Sequence, residues 1–184
     1  MPETNESKEH YLVVSNMRTG SSAVARVMHE KMGIKMYYKA TEADEFNPEG
    51  YYEDIGITNI NEHYIRSRVD AFALIKGVKR YIHIMKEMNV PWGLKDARIS
   101  ILAPIYKHVL PDARIIRVFR NGLDIIRSQM RKYGFTEDHI KLRIFMTNIT
   151  IDAVWGDNIW ASLNMTERRT NEEIENVIRE RIRE

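Results

Sequence analysis

The chain has 184 residues, 43% of them apolar and 29% charged, enough to bury one hydrophobic core and short for two ordinary domains. Lys plus Arg total 28 against 26 for Asp plus Glu, a formal charge of +2, which argues against a dedicated nucleic-acid binder. With no cysteine, disulfides, thiolate nucleophiles and cysteine-based zinc sites are excluded.

In chain order, the polar stretch 1–10 carries no apolar signal core and reads as a disordered leader on a cytoplasmic protein. No window approaches the roughly 18 apolar residues of a membrane span. Tyr11, Leu12, Val13 and Val14 form a short run closed by Ser15 and Asn16, suited to a strand buried on both faces. A helix follows, with Val24, Val27, Met28 and Met32 at helical spacing and Gly33 as its stop. Residues 39–54 are turn-rich around Asn47, Pro48, Glu49 and Gly50 and read as a functional loop. Ile57, Ile60, Tyr64 and Ile65 begin a second helix and residues 75–88 carry a third, ended by Pro91. Residues 92–95 predict a short strand, with Ile99, Leu102, Tyr106 and Val109 as the stripe of the helix behind it.

Pro111 and Asp112 turn the chain into a central strand over 113–120. Asn121 caps the next helix, which runs to about Gly134, and Asp124 stands three residues on in a capping-box-like arrangement. Further helices are expected over 137–153 and in an amphipathic tail, 166–184, with the stripe Ile174, Val177, Ile178 and Ile182. Three strands each followed by a helix predict an α/β fold: a single three-layer α/β/α domain of P-loop type over 1–184, with a central parallel sheet. Its ligand site then lies at the carboxyl ends of the strands. Arg18, Lys95 and Arg120 all fall at such ends, so the ligand is expected to be anionic.

The segment from Ser15 to Ser22 sits where a strand enters a helix, where backbone N–H groups and the helix dipole bind phosphate. Against the nucleotide triphosphatase pattern G-x-x-x-x-G-K-[ST], Ser21 replaces the lysine and no first glycine is present. A cation stands instead at Arg18, two residues before Gly20. This disfavours a kinase. The loop suits a 5′-phosphosulfate, with Arg18 stabilising charge on the bridging oxygens; the alternative is an ordinary Gly/Ser turn capping a helix.

The second signal is Arg120, with Ser128 eight residues later inside the helix: an arginine that can grip a phosphate bidentately and a hydroxyl that can donate to it. At this point the sequence resembles the family of sulfotransferases that use 3′-phosphoadenosine 5′-phosphosulfate (PAPS). Arg18, Thr19, Gly20, Ser21 and Ser22 match its 5′-phosphosulfate loop, and Arg120 through Ser128 its 3′-phosphate segment. The approach from Leu110 to Arg120 matches its "LPDAR-strand-R" pattern. Residues 47–54 resemble its "NPxGxxE" loop, and 92–98 its "WxxKDPR" segment, with Ala97 where proline is frequent. The likeness runs from about Tyr11 to Gly134.

The resemblance implies transfer of a sulfuryl group from PAPS to an acceptor hydroxyl or amine, releasing PAP, with no metal required. It makes Lys95 a second transition-state cation beside Arg18. Glu53 is the preferred base, with Glu49 and Asp54 as competitors; a solvated loop carboxylate or a helix cap is the alternative role for each. His63, His83 and His108 read as structural, Trp92, Trp155 and Trp160 as core before adenine-stacking, and Arg127, Arg131 and Lys132 as a basic helix face.

The family's C-terminal G-x-x-G-x-W-K closing loop has no counterpart after Ser128, so closure over the nucleotide falls to 158–167 or to a partner subunit. The tail helix packs on the domain or forms a homodimer seam. The acceptor is a small molecule, a carbohydrate, a lipid or a peptide tyrosine, held by loops of 37–54 and helices of 57–88. A non-catalytic PAP-binding module and a degenerate P-loop kinase are the alternative functions.

Overall fold

A computed structural model describes residues 9–67, 70–167 and 169–183. Strands β1 (His10–Ser15), β2 (Trp92–Lys95), β3 (Arg114–Phe119) and β4 (Ile159–Asn164) form a sheet in the order β2-β1-β3-β4. Every pairing in it is parallel, so each return of the chain needs a crossover. Helices α1 (Ser21–Glu30), α2 (Ile55–Ser67) and α3 (Ala71–Glu87) lie between β1 and β2. Helices α4 (Ala97–Ile101) and α5 (Ala103–Val109) lead to β3, α6 (Gly122–Tyr133) and α7 (Glu137–Trp155) to β4, and α8 (Asn171–Arg183) follows.

Alternate strand residues face opposite sides of the sheet. Leu12, Val14, Leu94 and Ile115 pack with residues of α2, α3, α5 and α7, while Tyr11, Val13, Ile116 and Val118 pack with α1 and α8. This gives the expected three layers, and the burial of β1 on both faces explains its unbroken apolar run. Complete burial of each such aliphatic side chain stabilises the fold by about 1.5–3 kcal/mol.

Several details differ from expectation. The sheet has a fourth strand, β4, in the segment expected to close over the nucleotide. The stripe of 99–109 belongs to two helices: Leu102 leaves helical geometry between them, and Pro104, in the first turn of α5, has no N–H with which to continue the ladder of α4. Of the leader expected over 1–10, residues 1–8 lie outside the described residues, while His10 opens β1 and Glu9 pairs with Arg114 at 2.6 Å, so the expectation fails at these two positions.

The tail helix starts at Asn171, not 166. There Thr170 Oγ1 accepts from Glu173 N at 3.2 Å and Glu173 Oε2 accepts from Thr170 N at 2.6 Å, a closed capping box. Its Ile174 and Ile178 are buried within the domain and Val177 packs partly against it, while Ile182 is exposed. No helix among the described residues is long and apolar enough to cross a membrane.

Candidate active site

The carboxyl ends of β1, β2 and β3 open onto a cleft of about 1020 Å³ lined by the loop after β1, Lys95, Arg120 and much of residues 41–53. Gly20 caps α1 in the left-handed region (φ 93°), and no side chain caps this helix. The positive φ is what calls for glycine here; a Cβ at Gly20 would also crowd the flexible end of the Met165 side chain at 3.3 Å. Arg18 holds φ 67°, a conformation uncommon outside glycine and often found at functional loops.

The loop is braced from three sides. Ser15 N donates to Ser100 Oγ at 2.8 Å, and the Ser100 hydroxyl donates back to Ser15 O at 3.0 Å. Gln129 Nε2 donates to Met17 O at 3.2 Å, and Asn16 Nδ2 to Asn148 Oδ1 at 3.0 Å. Ser100, Gln129 and Asn148 carried no sequence signal of their own, because each acts through one tertiary bond.

Arg18 Nε donates to Ser128 Oγ at 3.0 Å, joining the two segments singled out in the sequence. Ser128 is buried behind the cleft wall and in this arrangement serves Arg18. Arg120 lines both the main cleft and an adjoining cavity of about 590 Å³. Its buried Nε lies 3.6 Å from Asp124 and has no hydrogen-bond partner among the described residues. The expected capping box is open here: Asn121 Oδ1 accepts from Leu123 N, but Asn121 N donates to Thr166 Oγ1 at 3.0 Å. Asp124 faces Arg120 instead.

Lys95 ends β2 with a side chain only 5% exposed. Its Nζ donates to Glu53 Oε1 at 2.6 Å, Ser22 Oγ at 3.1 Å and the Tyr51 carbonyl at 3.2 Å. Burial pushes the Glu53 carboxyl above the ordinary carboxylate range, against the opposing pull of Lys95. The two competing candidates for the base, Asp54 and Glu49, have structural places. Asp54 accepts from Gly56 N at 2.7 Å and from Tyr38 N and Lys39 N at 2.8 and 2.9 Å, and Glu49 pairs with Arg26.

Comparison with known proteins finds no matching family model and no matching curated protein. Among solved structures the chain is similar to one described as deoxyadenosine kinase from M. mycoides with bound dATP. The TM-score is 0.50 at 10% identity, covering 95% of this chain and 100% of that one. The fold is thus that of the P-loop nucleotide-kinase type.

Residues 41–53 overhang the strand ends as a strap. Asp44 pairs with Lys132 of α6 at 2.9 Å and accepts from Tyr51 at 2.6 Å. The Tyr51 hydroxyl, followed by Lys132, holds the Asp44 carboxyl down at about 2. Lys132 therefore anchors the strap and is no solvated face residue. Arg98 pairs with Asp96 at 3.1 Å, a local pair beside Lys95.

Trp92 and Trp155 are buried in the core, while Trp160 packs on Tyr11 and Arg114. His83 and His108 are exposed. His139 and Arg143 of α7 line the cleft and were missed, since nothing in the sequence places α7 beside the loop. Beyond β4, residues Met165, Thr166, Arg169, Thr170 and Asn171 line the smaller cavity opposite Gly20 and Arg120. The segment expected to close the site is thus split: its first part is sheet and the part after it borders the pocket.

Proposed function

We propose that the protein is a PAPS-dependent sulfotransferase. The observation that supports it is the meeting of Arg18, Ser22, Lys95 and Arg120 around the uncapped amino terminus of α1. Such a helix end and three cations suit a ligand with separated anionic groups. The residues fit PAPS in a further respect: the orphaned Nε of Arg120 is a donor that a 3′-phosphate would satisfy. The 590 Å³ cavity beside Arg120, bordered by Met165 and Thr166, would take the nucleoside, and the larger cleft the acceptor.

In this reading the acceptor oxygen attacks sulfur in line as the bond from sulfur to the bridging oxygen breaks. The electron pair stays on the 5′-phosphate, where Arg18 and Lys95 offset the developing charge. Glu53 takes the acceptor proton.

Calorimetry tests the nucleotide site: PAP is expected to bind, and Arg120→Ala to lose that binding, with ATP and AMP as controls. A folded protein that does not bind PAP removes the sulfotransferase reading. The ATP arm tests a second reading, phosphoryl transfer, favoured by one observation. Lys95 reaches Ser22 Oγ at the start of α1, delivering a lysine from the neighbouring strand where Ser21 replaces that of a nucleotide triphosphatase loop. ATP binding with PAP ignored would establish that alternative.

If Glu53 is the base, the acid limb of the rate profile lies above the ordinary glutamate value of about 4.3. The raised folded pKa keeps the carboxyl protonated, and so inactive, over a wider acid range. Glu53→Gln is expected to flatten that limb, and an unchanged limb in the variant would assign it to another group.

A further inference from the structure

Eight lysines and arginines line the main cleft, and six have a carboxylate within 4.0 Å among the described residues. Arg18 and Arg143 have none there. Under the proposed function the phosphosulfate accounts for Arg18, but Arg143 belongs to a different element and a different environment. Its guanidinium stands over the Phe135 ring at 5.5 Å, and Nη2 reaches Met17 Sδ at 2.7 Å, a weak acceptor for a charged donor. Its surroundings oppose its charge: burial first, and the nearby guanidinium of Arg98, both lower its pKa, while Tyr133 acts the other way. Arg98 is already paired with Asp96 and Glu62.

A half-buried arginine left without a carboxylate in a ligand-sized cleft calls for an anion from the ligand. The walls of the same cleft include Ile65 and Ile101, both more than 40% exposed, and Phe135, an apolar surface that suits an aromatic or alkyl frame.

We propose that Arg143 is an acceptor-binding residue and that the acceptor is anionic: a hydroxyl compound carrying a carboxylate on an apolar or aromatic frame. This rests on the sulfotransferase reading for the word acceptor, and on the cleft alone for the anion. A carboxylate can take two parallel N–H donors from the guanidinium, displacing the contact with Met17 and fixing the far end of the molecule while its hydroxyl points toward Lys95 and Glu53.

The test is calorimetry with 4-hydroxyphenylacetate and its neutral isostere 4-hydroxyphenylacetamide, on the free protein and on protein saturated with PAP. The carboxylate is expected to bind with saturation, and the amide at least about tenfold more weakly. Arg143→Gln should abolish this preference while PAP affinity stays unchanged, and Arg143→Lys should keep part of it. Equal binding of the two probes, no saturable binding of the carboxylate, or full retention of the preference in Arg143→Gln each overturns the proposal. Loss of PAP binding in Arg143→Gln also overturns it, placing the residue in the nucleotide site. If PAP fails to bind wild-type protein while the preference is seen on the free protein, the donor reading falls and the anion site stands. The comparison of the two probes needs no variant, so a misfolded variant leaves the test intact.

Discussion

Lys95→Met is expected to lower the rate by about 10²–10³-fold, the usual cost of removing one preorganised charge-stabilising donor, and to destabilise the fold in a pH-dependent way. Lys95 is buried and Glu53 only 13% exposed, and the two are bonded at 2.6 Å. Removing one partner of a buried pair costs about 3–5 kcal/mol where the other must stay charged. Glu53 can escape by taking a proton. Its folded pKa is already raised by burial, with Lys95 pulling it down, so loss of Lys95 raises it further.

A raised folded pKa gives stability that is fully present below the unfolded value and lost as pH rises through the folded one. The deficit of Lys95→Met relative to wild type should therefore be small near the ordinary glutamate value of about 4.3 and grow toward neutrality. Lys95→Met combined with Glu53→Gln should recover much of the stability at neutral pH and none of the activity. Urea unfolding across pH checks this; a deficit that is flat with pH would mean that Glu53 is not the buried partner left behind.

Asp96→Ala is expected to destabilise the fold by about 3–5 kcal/mol. The carboxylate is 1% exposed. It caps α4 by accepting from Arg98 N at 2.9 Å, pairs with Arg98 Nη1 at 3.1 Å, and accepts from Asn61 Nδ2 at 3.0 Å. Asn61 Oδ1 in turn accepts from the fully buried Tyr106 hydroxyl at 2.8 Å.

Alanine removes a cap worth about 1 kcal/mol and strands a buried amide donor at about 1–3 kcal/mol. It also leaves Arg98 with Glu62 alone. Asn61→Ala should share part of this loss, so the double variant should cost less than the sum of the two singles. A loss below about 1 kcal/mol for Asp96→Ala, or strict additivity with Asn61→Ala, would show that the network does not act as a unit.

The parts of the fold that were legible are those where one residue type answers a local demand. The apolar run of β1 between polar boundaries, Asn121 at a helix start and Gly33 at φ 71° are such cases, and they put Arg18, Lys95 and Arg120 at one edge of the sheet. β4 was missed although Ile159, Ala161 and Leu163 alternate with Trp160, Ser162 and Asn164, the period expected of a strand. Its nearness to the break at Gly156 hid it, and as an edge strand it is buried mainly on one face.

Asn61 could have been found as a polar residue at a position of the α2 stripe, one turn beyond Ile57. Ser100, Gln129 and Arg143 could not: what they touch is fixed by how α4, α6 and α7 are laid against the loop, and no local pattern encodes that.

The all-parallel sheet also orders events during synthesis. β1 is made long before its neighbours, because its partners lie at 92–95 and 114–119. At elongation rates of about 5–20 residues per second, Tyr11, Leu12, Val13 and Val14 wait roughly 5–20 s for both flanking strands to be translated. Through that interval a strand destined for burial on both faces has no ladder of its own. The nascent chain's period of greatest exposure to chaperones and to misassembly is therefore set by sheet order rather than by the stability of the finished domain.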